Sequence, residues 1–148
     1  MALKKELFIN ALQMVEFDES QNIPTAVLFD SMGAHIGHQA LERAADATEL
    51  NENFKLNLGE TARERLEPPR FDTGDGKQRS AHEITKTFFE GVLKNLKPWI
   101  SSRGLQSADR ILVAEPLALD RGNEDGAEWL KNYRAKVKAI LKPHFEEV

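Results

Sequence analysis

The sequence contains no cysteine. Disulfides, thiolate zinc sites and cysteine nucleophiles are excluded with it. It has no uninterrupted apolar run of about 18 residues, the length a membrane-crossing helix needs. It also has no clustered lysine–arginine run, which sequence-independent nucleic-acid binding would require. Its opening, "MALKKELFINALQMVEF", lacks an apolar stretch followed by a small-residue cleavage site, so no signal peptide is expected. These absences point to a cytoplasmic protein with neither membrane nor nucleic acid as partner. Internal repeats and low-complexity segments are missing too.

What is there suits one globular domain, or one lobe of something larger. The 148 residues are 41% hydrophobic and 30% charged, with a net charge of −4. That balance is too apolar for a disordered chain.

Two apolar phrases open the chain. The first is ambiguous: Leu3, Leu7, Phe8, Ala11 and Leu12 have helical spacing, while Leu12, Met14 or Val15, and Phe17 alternate, and a strand is favoured over 11–17. "DESQNIP" is a turn, with Pro24 extending Ile23. "TAVLFD" is short, apolar and bounded by turn residues, and reads as a buried strand. "DSMGAHIG" is a hairpin-like connection in which Gly33 supplies backbone freedom, with a short return strand in "AHIG". "HQALERAADA" follows as a helix of good helix formers. Residues 63–79 are punctuated by Pro68-Pro69, Gly74 and Gly76, and read as an exposed loop. Within it "TGDGK" lacks the spacing and preceding strand of a phosphate loop.

The clearest element starts at Ser80. "SAHE" is a capping box, Ser80 capping and Glu83 reaching back. Ile84, Phe88, Val92, Leu96 and Trp99 recur at helical spacing, widened by Phe89, Leu93 and Ile100. A stripe so wide faces a large surface, and its aromatics read as core. Pro98 should bend or end this helix. "RILVAEP" is apolar on both faces from Ile111 to Ala114, as a covered central strand would be. A last helix is expected over 127–141, with Trp129, Leu130, Tyr133, Val137, Ile140 and Leu141 inward and Pro143 as its stop. "HFEEV" could begin another strand. The order is that of an α/β protein.

Few residues suggest chemistry. His35 and His38 in "HIGH" lack further ligands at metal-binding spacing, and His82 reads as a polar position in a helix's first turn. Asp30 beside Ser31 lacks a nucleophile elbow. The acidic loop "DRGNEDG" lacks EF-hand spacing. Glu115 stands at a strand's carboxyl end, where α/β sites form. Lys55 is the most pointed case. It sits inside the apolar phrase "NFKLNLGE", where Phe54, Leu56 and Leu58 alternate as a strand or a tight helical turn would. The plain reading is a solvated lysine on a half-buried element.

From about Leu12 onward the chain resembles the nucleotide-binding domain of the DnaK-type, seventy-kilodalton heat-shock chaperones, within the actin-like ATPase superfamily. Divergent members fit better than typical chaperones. "NIPTAVLFDSMGAHIGHQALERA" resembles the family's Pro-Thr-led strand, turn and Ile-Gly before a helix. "NFKLNLGE" resembles the segment with a lysine four residues before a glycine. "SAHEITKTFFEGVLKNLKPWI", "RILVAEPLALD" and "WLKNYRAKVKAILKPHFEEV" resemble the long helix, the strand ending in proline, and the helix after it. The resemblance implies a partial actin-like ATPase (ribonuclease H-like) lobe, a mixed sheet with flanking helices.

The resemblance also implies ATP or ADP with magnesium in the complete fold. Lys55 would be the catalytic lysine that contacts phosphate and the attacking water. Pro116 would be the relay between cleft and surface, and Glu115 beside it is a cofactor-binding candidate by its place at the strand end. The family's Asp-x-Gly-Thr loop should lie just before Leu12, and "MALKKELFIN" does not contain it. The second phosphate loop and its metal-orienting acids are also absent from the 148 residues. The expected partner is therefore the remainder of an ATPase domain. The alternative is a stand-alone protein-binding or regulatory module without nucleotide, engaging a protein on an exposed sheet edge.

Overall fold

The computed structural model describes residues 23–46, 50–60, 70–102, 104, 110–113, 123–146 and 148. The expected strand over 11–17 lies outside them. β1 (Val27–Asp30) pairs antiparallel with β2 (Gly33–Ile36), Val27 opposite Ile36 and Asp30 opposite Gly33. The two-residue turn between them needs Gly33, whose φ of 119° suits glycine alone. β2 runs into helix α1 (Gly37–Arg43). A short β3 (Leu50–Asn51) pairs antiparallel with the other side of β1, giving the order β2-β1-β3. β1 is central, and its Val27 and Leu28 are buried.

Helix α2 (Phe54–Leu58) follows β3. β4 (Arg70–Asp72) and β5 (Gln78–Ser80) then form a second, two-stranded antiparallel sheet. The expected exposed loop over 63–79 is thus partly a hairpin, and residues 61–69 lie outside the described part. Side-chain hydrogen bonds hold its turn. Asp72 accepts from the Gly74 N–H at 2.9 Å. Asp75 accepts from Thr73 Oγ1 at 2.8 Å and from both Arg79 η-nitrogens at 2.9–3.1 Å. Arg79 also donates to Thr73 Oγ1 and lies 3.7 Å from the Phe29 ring centroid. The Asn51 amide bridges the two sheets, donating to the carbonyls of Val27 and Thr73 at 3.2 Å each. Periodicity could not reveal this hairpin, because its strands are short and polar and side-chain chemistry defines the turn.

β5 leads directly into helix α3 (Ala81–Ser102). The capping box forms as expected: the Ser80 N–H donates to Glu83 Oε2 at 2.7 Å, and the Glu83 N–H to Ser80 Oγ at 3.2 Å. Ile84, Phe88, Leu93 and Ile100 are buried along one stripe. The helix does not end at Pro98 but runs on to Ser102. Helix α4 (Asn123–Leu141) starts earlier than expected and ends as expected. Trp129, Tyr133, Val137, Ile140 and Leu141 are buried.

The architecture is mixed α/β with small antiparallel sheets. A mixed sheet containing parallel strands does not occur among the described residues. The covered central strand expected at "RILVAEP" is corrected over 111–113, with Arg110 making a single bridge and residues 114–116 lying outside the described residues. Residues 111–113 are not strand, and Leu112 is 78% exposed. Ile111 and Val113 lean on the core while Leu112 points away. The strand that "HFEEV" could begin is corrected in the same way. Residues 144–146 form no strand, and Phe145 and Val148 pack against the core beside α4. No helix among the described residues is long and apolar enough to cross a membrane.

The core has two principal parts. One joins Val27, Phe54, Ile84 and Phe88 beneath the three-stranded sheet. The other joins Leu58, Leu93, Trp129, Tyr133, Val137, Ile140 and Leu141 between the helices. α2 contributes to both.

Candidate functional site

Five residues form too short a helix to hold itself together in water. α2 is held from outside. Phe54 and Leu58 lie one turn apart on the same face and are 4% and 0% exposed. Phe54 meets Phe88 with ring centroids 5.9 Å apart. Of the strand and the tight helical turn that the alternation allowed, the helical turn forms: Phe54 and Leu58 point inward, while Leu56 is 47% exposed.

Lys55 rides on the flank of this turn, half-buried. It makes no hydrogen bond or ion pair with another described residue. Burial alone holds its ammonium below the ordinary lysine value. Other lysines differ. Lys136 donates to the Glu60 carbonyl at 3.3 Å, and Lys86 stands 3.9 Å from Glu90. A half-buried cation without a counter-ion is an electrostatic cost that a bound anion would relieve.

α4 holds α2 from the other side. The Trp129 indole N–H donates to the Leu56 carbonyl at 3.1 Å. The indole lies over Gly59 at the end of the turn. Tyr133 stacks on it, with centroids 5.1 Å apart and planes 14° from parallel. Reasoning from sequence took Trp129 for core only. The signal that could have found its role is the glycine just past "FKLNL", where something bulky needs room.

Among the sequence-predicted site residues, Lys55 is positioned as described, and Glu115 and Pro116 lie outside the described residues. His35 Nε2 donates to Asp30 Oδ1 at 3.0 Å. Asp30 also accepts from the Met32 N–H and from Arg43 at 2.8 Å each. The Arg43 guanidinium is the main cause that lowers its pKa to about 2. Asp30 is thus committed to its own hairpin and to the end of α1. His82 is part-buried, and burial, followed by the charges of Lys136 and Lys86, lowers its pKa. A groove of about 470 Å³ lies along the end of α3, between Lys94, Lys97, Ser101 and His144. It contains none of the predicted site residues. Among the described residues, no three His, Asp or Glu side chains gather to hold a metal ion. Comparison with family models, with curated proteins and with solved structures finds no match.

Proposed function

We propose that this chain carries the phosphate-contacting lysine of a divergent DnaK-type, actin-like ATPase lobe, and that Lys55 is that lysine. The supporting observation is a half-buried ammonium with no counter-ion among the described residues, on a turn anchored by Phe54 and Leu58. An anchored cation stabilises the charge that develops on a transferring phosphoryl group without first having to reorganise. Bound nucleotide would supply the phosphate. Lys55 would hold its oxygens, and the apolar surroundings would strengthen that attraction by limiting water. These 148 residues contain neither phosphate loop of the family, so they are assigned phosphate contact and not turnover. Pro116 belongs to the proposal through the family resemblance alone, and Glu115 through its expected place at the end of the strand before it.

Calorimetric titration with magnesium-ADP and with inorganic phosphate tests the reading. Saturable binding is expected, weakened about tenfold or more in Lys55→Met, which corresponds to about 1.4 kcal/mol. The absence of saturable binding, or equal binding by the variant, would sink it. Magnesium-dependent ATP turnover that disappears in Lys55→Ala would overturn the separate assignment of contact without turnover.

A second reading is a nucleotide-free protein-binding module. Exposed Gly33 and Ala34 on β2, with Met32 77% exposed at the turn, favour it. An outer strand of this kind can accept a partner's strand. A monomer that unfolds cooperatively and ignores phosphate would support this reading over the first.

A further inference from the structure

We infer that Trp129 is a positioning residue for Lys55, and that Gly59 is glycine so that the indole can take that position. The functional meaning rests on the phosphate-contact reading; the geometry does not.

Three contacts carry the inference. The indole N–H donates to the Leu56 carbonyl, one residue from Lys55. That bond fixes the backbone of the turn, not only its side chains. A Cβ on Gly59 would stand 2.3 Å from indole carbons Cδ2 and Cε2 and 2.6 Å from Nε1. No side chain fits there without moving the ring or the turn. Gly59 itself has φ −83°, which any residue adopts, so the glycine is required by space and not by backbone conformation. The ring in turn has little freedom, being 3% exposed and stacked on Tyr133. α2 is thus pinned between Phe54 in one part of the core and the indole from α4. Its five residues cannot rotate without breaking the indole hydrogen bond, and Lys55 shares that constraint.

The alternative is that Trp129 only fills space. The two roles differ in what they do to Lys55. Removing a space-filler lowers stability and leaves the Lys55 environment alone. Removing a positioning contact frees the turn, wets Lys55 and raises its pKa toward the ordinary lysine value.

The experiment follows the titration of the Lys55 side chain by NMR on carbon-13-labelled lysines in the full chain. It compares the wild type with Trp129→Phe, which keeps an aromatic ring but no N–H, and with Gly59→Ala. Met32→Ser, at the exposed hairpin turn, is the control. The expected result is a Lys55 midpoint higher in Trp129→Phe and Gly59→Ala than in wild type and control, with a melt that stays cooperative in Trp129→Phe. If Gly59→Ala does not fold, Trp129→Phe decides. A Lys55 midpoint unchanged in Trp129→Phe overturns the inference.

Binding of inorganic phosphate, measured on the same proteins, separates the two claims. If Trp129→Phe moves the midpoint but the wild type binds no phosphate, the positioning stands and the phosphate reading fails. If phosphate binds, depends on Lys55 and is indifferent to Trp129→Phe with an unmoved midpoint, the phosphate reading stands and the positioning fails.

Discussion

Ser80 and Glu83 satisfy each other's backbone donors at the start of α3. Glu83 also pairs with Arg70 at 3.0 Å across the hairpin. The Ser80 N–H is the main cause that lowers the Glu83 pKa. Ser80→Ala removes one half of the box and should cost about 0.5–2 kcal/mol in urea unfolding. Ser80→Asp should recover most of that loss, since aspartate caps as well as serine does. Equal stability of the alanine and aspartate variants would show that the cap contributes little here. Lys55 is the opposite kind of residue, a charge that the fold leaves without an internal partner among the described residues. Lys55→Met is therefore expected to leave stability unchanged or to raise it slightly, because no ion pair is broken and a desolvated charge is removed. A clear fall in the urea midpoint would mean that the lysine has a structural role.

At the scale of elements, α3 and α4 were legible in the sequence because long amphipathic helices repeat their signal over many turns. Ile84 and Phe88, or Trp129, Tyr133 and Val137, each reinforce the same period. β1 was legible because Val27 and Leu28 are apolar and bounded by turns. The β4–β5 hairpin was not, since Arg70, Asp72, Gln78 and Arg79 carry no apolar alternation. "RILVAEP" misled for a related reason. A short apolar run fits a covered strand, yet Leu112 faces outward where residues 111–113 make no strand pairing. The site was half legible. "NFKLNLGE" drew attention to Lys55, but Trp129 comes from a helix far along the chain, and only tertiary contact reveals it. α3 also crosses β2 closely at Gly91, where a Cβ would lie 2.8–3.0 Å from three carbons of Ile36. Gly91→Val should therefore cost about 1–3 kcal/mol by overpacking. Ile36→Ala in the same chain should recover part of it, giving a non-additive double-mutant cycle. Additive losses would show that the two elements have room to part.

Over the whole molecule, α2 and α3 both reach into the two parts of the core, α2 through Phe54 and Leu58 and α3 through Ile84 and Phe88 on one side and Leu93 on the other. Leu58→Ala should cost about 2–5 kcal/mol. It should also couple to Phe54→Ala, since each anchors the same short turn. Independent losses in denaturant unfolding would show that the two parts of the core do not communicate through α2. Acid should weaken the fold from several sides at once. The Asp30 carboxyl is lowered from 3.8 to about 2. Arg79 holds Asp75 well below the usual carboxylate range, and Glu83 is lowered as well. A carboxylate depressed in the folded state contributes stability that is complete above its unfolded pKa and lost as pH falls through the folded one. His82 acts in the same direction at higher pH. Its protonation is disfavoured in the fold, so stability erodes as pH drops below the ordinary histidine value of 6.5. Melting temperature should fall from neutral pH downward, most steeply between about pH 4 and pH 2. Asp75→Asn should be less stable at neutral pH and show a shallower acid limb. A melting temperature flat across that range would contradict the assignment.

The indole bond from Trp129 to Leu56 joins residues 73 positions apart. A nascent chain emerges in order, so Lys55 leaves the ribosome long before the ring that fixes it. Until α4 is made, the turn has no support from that side, and a five-residue helix does not persist unaided. Synthesis therefore builds this site late, after the β1–β2 hairpin and α3 have their own local contacts. A chain arrested before Trp129 would carry every residue of "NFKLNLGE" and still lack a placed ammonium.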